Sequence, residues 1–254
     1  MRLPKVVVVM PTFNESMNLR ETVLGCLEEF RRSSIDGSVL VVDDDSPDGT
    51  AEIALELAEL TGRVDVMVRK SKRGIGSAYI DGFRHVIRDH GEVEVIVEMD
   101  ADGSHEPAYL TRLVTPILSR DADVVIGSRY VRGGGWDLRN SRYVISRVAN
   151  VYARAVTGLR IGDMTSGYRA MSRGLIERCI DILKAAPRSY VFQVDTLRTY
   201  ASMGAKIIEV PIRFKPRKGG KSKLRVGDVI TFLTWGLGVA LKRSHDARGA
   251  VPPS

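Results

Sequence analysis

The most informative signal of the fold is the stretch Val95-Ile96-Val97-Glu98-Met99-Asp100-Ala101-Asp102. Its mostly apolar first half is typical of a strand buried on both faces of a parallel sheet, and it ends on two carboxylates. Residues i and i+2 of a strand point to the same side, so Asp100 and Asp102 would face one point if the strand continues through them. Such carboxylates repel unless a cation lies between them, and their oxygens suit Mg²⁺ or Mn²⁺. Asp-Ala-Asp-Gly is also an ordinary turn sequence, so this stretch alone leaves both interpretations open.

Composition limits the partners and the compartment. The chain has 254 residues, enough for one large α/β domain or a domain with an appendage, and its net charge is +7. A basic protein favours an anionic partner such as nucleic acid, phosphates or an acidic membrane surface. Aromatic residues are only 6%, with no stacking platform, which argues against nucleic acid. Cys26 and Cys179 lie far apart in helix-like segments, which indicates reduced thiols in a cytoplasmic protein.

The first half of the chain repeats a strand–loop–helix unit. Residues 6–10 form an apolar strand that Pro11 is expected to end, and Asn14 or Ser16 can cap the helix that follows. The apolar run 38–42 ends in acidic residues, and the strand 64–68 is followed by a basic, glycine-containing loop, 69–76. These units predict a doubly wound, mostly parallel sheet flanked by helices, with its ligand crevice at the carboxyl ends of the strands. Every polar motif of this half falls at such an end.

The second half predicts helices over 107–119, 140–157, 174–183 and 191–203, and strands over 123–127 and 206–214. A polar loop, 163–169, leads into Ala170-Met171, and a basic segment, 215–223, precedes the apolar residues 226–241. That apolar run is shorter than the roughly 20 residues of a membrane span. It is either an interfacial helix or a core helix. The chain also starts without a signal peptide, which predicts a soluble or peripheral protein.

Three other folds that place acidic or glycine-rich motifs at strand ends do not match this sequence. The acids after the second strand are not where a response-regulator receiver carries them, and the chain is about twice a receiver's length. The first strand is followed by Pro-Thr-Phe-Asn-Glu where a dinucleotide fold needs Gly-x-Gly-x-x-Gly. Lys72-Arg73-Gly74-Ile75-Gly76 lacks the Lys-Ser/Thr pair of a P-loop.

Several motifs in one order are more specific than any of them alone. They are Pro11-Thr12-Phe13-Asn14-Glu15, Asp43-Asp44 with Ser46-Pro47-Asp48-Gly49-Thr50, Lys72-x-Gly74-x-Gly76-x-Ala78-Tyr79, Met99-Asp100-Ala101-Asp102-x-x-His105, Gly127-Ser128-Arg129-Tyr130, Gly135-Trp136, Arg142-x-x-x-Ser146, Asp163-x-Thr165-Ser166-Gly167-Tyr168-Arg169, and Val210-Pro211-Ile212-x-Phe214 with Arg217, Gly220, Ser222 and Lys223. This set resembles the family 2 inverting glycosyltransferases with the GT-A fold, and within them the dolichol- or polyprenol-phosphate mannose synthases. The resemblance covers residues 5 to about 225.

The resemblance implies a GT-A catalytic domain at 1–225. The residue pattern beyond it predicts an apolar helix at 226–243, interfacial or packed on the domain, and a disordered tail at 244–254. It implies GDP-mannose as donor, a polyprenyl or dolichyl monophosphate as acceptor, and Mg²⁺ or Mn²⁺ held by Asp100 and Asp102. The nucleotide sugar would contact Pro11, Phe13, Glu15, Asp43, Asp44, Lys72, Gly74, Asp100, Ala101 and Asp102. The acceptor phosphate would contact Arg129, Arg142, Ser146, Arg217 and Lys223. The catalytic set would be Asp102, Arg129, Arg142 and Arg217. Family members often place Gln as a further metal ligand where this chain has Ser104.

The implied chemistry needs charge neutralisation more than a base, because the acceptor phosphate is already an anionic nucleophile. Asp163 is therefore expected to be a positioning residue. The reaction would invert the anomeric carbon on the cytoplasmic face of a membrane, which the chain would reach peripherally or through a membrane-protein partner. Alternatives are a UDP-glucose-dependent polyprenyl-phosphate glucosyltransferase, or a silent nucleotide-sugar-binding subunit of a membrane complex.

Some of these residues have plainer interpretations. Glu15 and Asp48 could be helix caps, and His105 a structural histidine. Arg139, Arg147 and Arg154, at helical spacing with Arg142, could form a solvated helix face, which is the favoured interpretation for Arg154.

Overall fold

Nine strands form a large and a small sheet in the computed structural model, which describes residues 2–70, 73–138, 141–183, 189–216 and 226–249. The strands are β1 (Lys5–Thr12), β2 (Asp36–Asp43), β3 (Val64–Val68), β4 (Val95–Glu98), β5 (Val124–Ser128), β6 (Gly135–Trp136), β7 (Arg169–Ser172), β8 (Ile207–Pro211) and β9 (Arg213–Phe214). The large sheet has the order β3-β2-β1-β4-β7-β5-β8, and β6 pairs with β9. This order leaves the acidic ends of β2 and β4 on either side of β1.

β1 lies inside the sheet because its run of valines suits a strand covered on both faces. Val8 is fully buried and pairs in parallel with Val39 of β2 and Val97 of β4. The strand continues through Pro11 to Thr12, so the prediction that Pro11 ends it was wrong. The β4 register stops at the Val9↔Glu98 pair, and proline is tolerated where no neighbouring strand needs its N–H.

β7 is antiparallel to both of its neighbours, β4 and β5, and the other pairs in the sheet are parallel. The prediction of a mostly parallel sheet is confirmed, but the sequence showed only a polar loop leading into Ala170-Met171. Arg169, the first residue of β7, is fully buried, although arginine rarely is. A four-residue strand that begins with a buried charge lacks the apolar pattern by which strands are recognised.

Helices cover both faces of the large sheet, which confirms the doubly wound architecture. They are α1 (Ser16–Arg32), α2 (Thr50–Thr61), α3 (Ile75–Asp89), α4 (Leu110–Leu118), preceded by a 3₁₀ turn (Pro107–Tyr109), α5 (Ser141–Thr157), α6 (Arg173–Cys179), α7 (Ser189–Ser202) and α8 (Val226–Gly249). One core contains Leu19, Leu57 and Leu113 from α1, α2 and α4. The other contains Phe83 and Leu197 from α3 and α7, among others.

α8 packs against α5. Tyr152 of α5 donates a hydrogen bond to the Leu233 carbonyl (2.6 Å), and its ring lies 5.6 Å from that of Phe232, which is buried. Gly236 permits this approach, since a Cβ there would overlap the Tyr152 ring. The helix is observed over Val226–Gly249, whereas the sequence predicted an end at residue 243. Residues 250–254 of the predicted tail lie outside the described residues.

Among the described residues, no helix combines the length and the apolar content that crossing a bilayer requires.

Candidate active site

The carboxylate of Asp43, at the end of β2, is held by three hydrogen bonds. Thr12 donates to its Oδ1 (2.7 Å), the Ser46 hydroxyl to Oδ1 (2.6 Å) and the Ser46 amide to Oδ2 (2.8 Å). Asp43 is fully buried. The loop after β2 is thereby tied to the end of β1, and the carboxylate has one fixed orientation at the edge of the sheet.

Asp44 forms a buried ion pair with Arg69, a residue that the sequence analysis did not single out. The Arg69 Nε donates to Asp44 Oδ1 (2.6 Å), and its Nη1 contacts Ser77 (2.8 Å) and Asp81 (3.0 Å). Arg69 therefore connects the acidic loop to the first turns of α3. Gly74, which precedes that helix, has φ +92°, a conformation that favours glycine. Lys72 lies outside the described residues.

Residues after β1 approach the loop after β2 through backbone amides. The Asn14 amide donates to Ser46 (3.0 Å), that of Glu15 to Thr50 (3.0 Å) and that of Ser16 to Asp48 (3.1 Å). Asp48 thus caps the start of α1 from another loop, whereas neither Asn14 nor Ser16 caps it with its own side chain. Glu15 is buried and accepts a hydrogen bond from Asn18 (3.3 Å).

Asp100 and Asp102 lie on a bend, not on a continuing strand, because β4 ends at Glu98. We call residues 100–104 the acidic bend. Asp102 is buried, and its Oδ1 accepts hydrogen bonds from the Ser104 amide (3.0 Å) and the Ser104 hydroxyl. The Ala101 carbonyl accepts from Thr22 (3.3 Å), which ties the bend to α1. Ser104, at the position where the resemblance implies a metal-ligating Gln, here orients the Asp102 carboxylate.

His105 supports the acidic bend. Its Nδ1 accepts a hydrogen bond from the Asp100 amide (3.1 Å), and its ring stacks on Tyr168 at 4.8 Å. His105 is buried, so it acts through the backbone of Asp100 and fixes where that residue points. Tyr79 of α3 approaches Asp100 from the other side, with its hydroxyl 3.5 Å from Oδ1.

Arg129 makes a bidentate ion pair with Asp163. Its Nε and Nη2 donate to the two carboxylate oxygens (2.7 Å each), and its amide donates to Oδ2 (3.0 Å). Burial raises the pKa of Asp163, but the Arg129 charge and hydrogen bonds outweigh this effect and hold that pKa below its usual value. The Arg129 guanidinium lies 4.7 Å from the Trp136 ring. The predicted anion-binding arginine is therefore already paired with a carboxylate.

Ser146 and Arg142 lie four residues apart in α5, as the sequence predicted. Ser146 is buried and accepts a hydrogen bond from the Tyr130 hydroxyl (2.9 Å), while Arg142 is half-buried. Asn150, which the sequence analysis missed, donates to Thr165 (3.0 Å) and accepts from the Met164 amide (2.7 Å). α5 and the loop 163–166 are thus held together next to the Arg129–Asp163 pair.

A cavity of about 390 Å³ lies between α5 and the connection from β5 to β6. Three arginines line it: Arg129, Arg147 and Arg154. Arg154 is half-buried and donates to the Gly162 carbonyl (3.0 Å), so its interpretation as part of a solvated face was wrong. The reason is that the 160–163 loop folds back over α5, a contact that helical spacing cannot indicate.

A buried polar group lies behind the acidic bend. Glu98 of β4 and Arg169 of β7 are both fully buried and occupy paired positions. Burial raises the pKa of Glu98 to about 7, against the opposing charge of Arg169. Arg169 donates to the carbonyls of Gln193 (2.7 Å) and Met164 (2.8 Å), which ties α7 to the loop 163–166.

The residues that lead into the basic segment contact the acidic bend and His105. The Lys215 amide donates to the Ser104 carbonyl (3.2 Å), and Phe214 packs edge-on against His105 at 5.7 Å. Arg217 and Lys223, predicted acceptor-phosphate ligands, lie outside the described residues, as does Arg139 of the expected solvated face.

The acidic bend offers a donor set suited to a hard divalent cation. Two carboxylates stand one residue apart, and oxygen-only ligands favour Mg²⁺ or Mn²⁺ over zinc. Asp100 is held by His105, and Asp102 by Ser104. The residues present therefore fit the metal that the sequence predicted.

Comparisons with known proteins agree with this architecture. The sequence profile described as Glycosyl transferase family 2 matches residues 7–180. Polyprenol monophosphomannose synthase of Mycolicibacterium smegmatis is 40% identical, over 97% of this chain and 91% of its own. Undecaprenyl-phosphate mannosyltransferase of Micrococcus luteus is 42% identical, over 92% of this chain and 94% of its own.

Among solved structures, glucosyl-3-phosphoglycerate synthase of Mycobacterium tuberculosis, in complex with Mn²⁺ and UDP-glucose, superposes with a TM-score of 0.64. The match covers 99% of this chain and 81% of that one at 20% identity, so it supports the fold alone. The edge of the sheet at which β2 and β4 end in acidic residues, on either side of β1, is thus the candidate active site of a GT-A-like fold. The chain belongs to glycosyltransferase family 2.

Proposed function

We propose that the chain transfers mannose from GDP-mannose to a polyprenyl monophosphate and so forms polyprenyl-phosphate β-mannose. The observation that carries the proposal is the identity of 40% and 42%, over more than nine-tenths of the chain, to two proteins named for mannose transfer to polyprenyl phosphates. The donor nucleotide is an extension of that argument, since neither name specifies it.

The donor side of the proposed site is the edge formed by β1, β2 and β4. Asp43 and Asp44 are fixed beside the end of β1, a position suited to the nucleoside. Asp100 and Asp102 would hold Mg²⁺ or Mn²⁺, which neutralises the diphosphate and stabilises the charge that grows on the leaving nucleotide. Ser104 orients the Asp102 carboxylate and His105 holds the Asp100 backbone, so part of the cost of ordering the ligands is met before the donor binds.

The acceptor side is the face of α5 that carries Arg142 and Ser146. The acceptor phosphate is an anionic nucleophile, so in-line attack on the anomeric carbon needs no general base. Asp163 is consistent with that requirement, because it is fully buried, bidentate to Arg129 and has a lowered pKa. It would position Arg129, which in turn lies between Asp163 and the Trp136 ring.

The peripheral position that we propose, on the cytoplasmic face of a membrane, is supported as to membrane contact by exposed apolar side chains on α5 and α8. Val148 and Val151 of α5 are 63% and 57% exposed, and Leu237 and Leu241 of α8 are 60% and 73% exposed. The two helices pack on each other, so these side chains belong to neighbouring surfaces. Arginines on α5 and the net charge of +7 complement anionic lipid headgroups.

The test is product formation from GDP-mannose and from UDP-glucose, each with a short polyprenyl phosphate and Mg²⁺, with and without EDTA. The proposal predicts metal-dependent mannolipid from GDP-mannose alone. Glucolipid formed from UDP-glucose would show that the donor is UDP-glucose and not GDP-mannose. Nucleotide-sugar binding without product from either donor would argue against transfer by this chain alone and point to a missing membrane-protein partner or a silent binding subunit.

A further inference from the structure

A second group of metal-ligand side chains lies at the opposite edge of the large sheet. Asp65 is the second residue of β3, His85 lies near the end of α3, and His90 directly follows that helix. β3 runs parallel to β2, and α3 returns against the strands, so all three residues lie where the parallel strands begin. The acidic bend lies where β4 ends. We call Asp65, His85 and His90 the histidine cluster.

The distances within the histidine cluster suit one ion. One ligand atom from each of its three side chains lies within 4.8 Å of the other two. His90 Nε2 and Asp65 Oδ2 are 3.0 Å apart. Two ligands of a tetrahedral zinc lie roughly 3.3 Å apart when each is about 2.0–2.1 Å from the ion. Small side-chain rotations would therefore complete the coordination.

Asp89 supports this arrangement as an outer carboxylate. Its Oδ2 lies 3.0 Å from His85 Nδ1. Histidines that bind metals usually donate the other ring N–H to a carboxylate, which fixes the tautomer and the orientation of the ring. A proton on Nδ1, shared with Asp89, leaves Nε2 of His85 free to bind an ion.

The backbone positions of the cluster are fixed by the fold. The His90 amide donates to the Val86 carbonyl (3.0 Å), and the His90 carbonyl accepts from the Val93 amide (3.1 Å). Asp65 is in register with Leu40 of β2. Each histidine side chain is 23% exposed, so the site is open to ions from solvent while its ligands have limited freedom.

We propose that Asp65, His85 and His90 bind a zinc-class divalent transition-metal ion, with water in the fourth position. Imidazole nitrogen favours Zn²⁺ and Ni²⁺, whereas the oxygens of the acidic bend favour Mg²⁺ and Mn²⁺. The bound ion would join the start of the edge strand β3 to the end of α3. The proposal does not depend on the proposed transferase activity, because it uses other residues and another metal.

One neighbouring cation opposes the ion. Arg88 Nη2 lies 3.3 Å from His85 Nδ1 and also pairs with Asp89 (2.7 Å). Its side chain is 70% exposed, so it can turn into solvent when a metal binds. Removing this charge gives a variant that gains affinity if the proposal is right, and such a gain cannot come from misfolding.

The experiment measures Zn²⁺ binding to the full chain by competition with a chromophoric chelator, with Mg²⁺ in excess. We expect one Zn²⁺ per chain, lost in His85→Ala and His90→Ala, retained in Asp102→Asn and tighter in Arg88→Ala. Asp89→Asn should weaken it by ~10–100-fold. Co²⁺ in place of Zn²⁺ should give the absorption bands of a tetrahedral ion.

Three results would overturn the proposal. They are no zinc bound by the wild type, zinc binding by His85→Ala and His90→Ala that is as tight as that of the wild type, and binding lost in Asp102→Asn alone. In the first two cases the histidine–carboxylate contacts would be an ordinary surface network. A transferase that fails in the donor assay would leave this result unaffected, so the two failures are distinguishable.

Discussion

Replacing Asp163 with Asn removes one charge from the buried Arg129–Asp163 ion pair near the proposed site. Asp163 is fully buried and accepts three hydrogen bonds from Arg129. Asn keeps the shape but has one oxygen instead of two, and its NH₂ group would face a guanidinium that also only donates. Arg129 would remain buried without a counter-charge.

The structure sets the size of the effect. Breaking a buried ion pair by neutralising one partner costs about 3–5 kcal/mol, because the other charge stays buried and uncompensated. For a chain of this length, that corresponds to a fall in Tm of roughly 6–20 °C. The depressed pKa of Asp163 gives the pH dependence. The ionised carboxylate stabilises the folded state above the ordinary Asp pKa of about 3.9, and this contribution is lost as pH falls through the lower folded pKa.

Urea unfolding of wild type and Asp163→Asn at neutral and acidic pH measures both effects. The difference in unfolding free energy should be large at pH 7 and shrink on acidification. Glu28→Gln, which removes an exposed pairing with Arg31 and Arg32, is the control and should leave the midpoint unchanged. A loss of unfolding free energy below about 1 kcal/mol at pH 7, the range of exposed ion pairs, would show that burial does not strengthen the Arg129–Asp163 pair.

Three further variants test other parts of the molecule. Burial raises the pKa of Glu98 from 4.5 to about 7, so the wild type should lose on the order of 3 kcal/mol of unfolding free energy as pH rises through that window. Thermal unfolding of Glu98→Gln should show a flatter pH profile. Val148→Asp should reduce binding to vesicles that contain anionic lipid in a flotation assay. Leu60→Asp, at a similarly exposed position on α2, should not, and equal losses of vesicle binding in the two variants would argue against docking through α5. Ser104→Ala removes a hydroxyl that orients Asp102, so half-maximal activity should need more Mg²⁺, and an unchanged metal titration would exclude that role.

The elements that the sequence predicted correctly share a strong local signal. The valine run of β1 and the apolar start of β4 identify buried parallel strands, and the acids that follow mark the carboxyl edge. β7 was missed because its burial depends on the strands on either side, and its own four residues begin with Arg169. Periodicity cannot reveal a strand that has no periodic pattern.

The candidate site was predictable in its residue types but not in its contacts. Asp100 and Asp102 were expected at a strand end, yet the bend that carries them depends on Ser104 and His105. Arg69 pairs with Asp44, 25 residues away, and no local pattern indicates such a partner. Pairing across loops is decided by tertiary structure, so a sequence shows which charges exist but not which are already neutralised.

The most direct test of the central claim, that the acidic bend is the catalytic centre, compares Asp102→Asn with Asp45→Asn. Asp45 is an exposed aspartate beside Asp43 and Asp44, so its variant controls for the loss of one negative charge. Mannolipid formation from GDP-mannose, short polyprenyl phosphate and Mg²⁺ is measured for both. We expect at least a ~100-fold loss for Asp102→Asn, since the metal supplies several kcal/mol, and near wild-type turnover for Asp45→Asn. Turnover by Asp102→Asn equal to that of wild type would show that the acidic bend is not the catalytic centre.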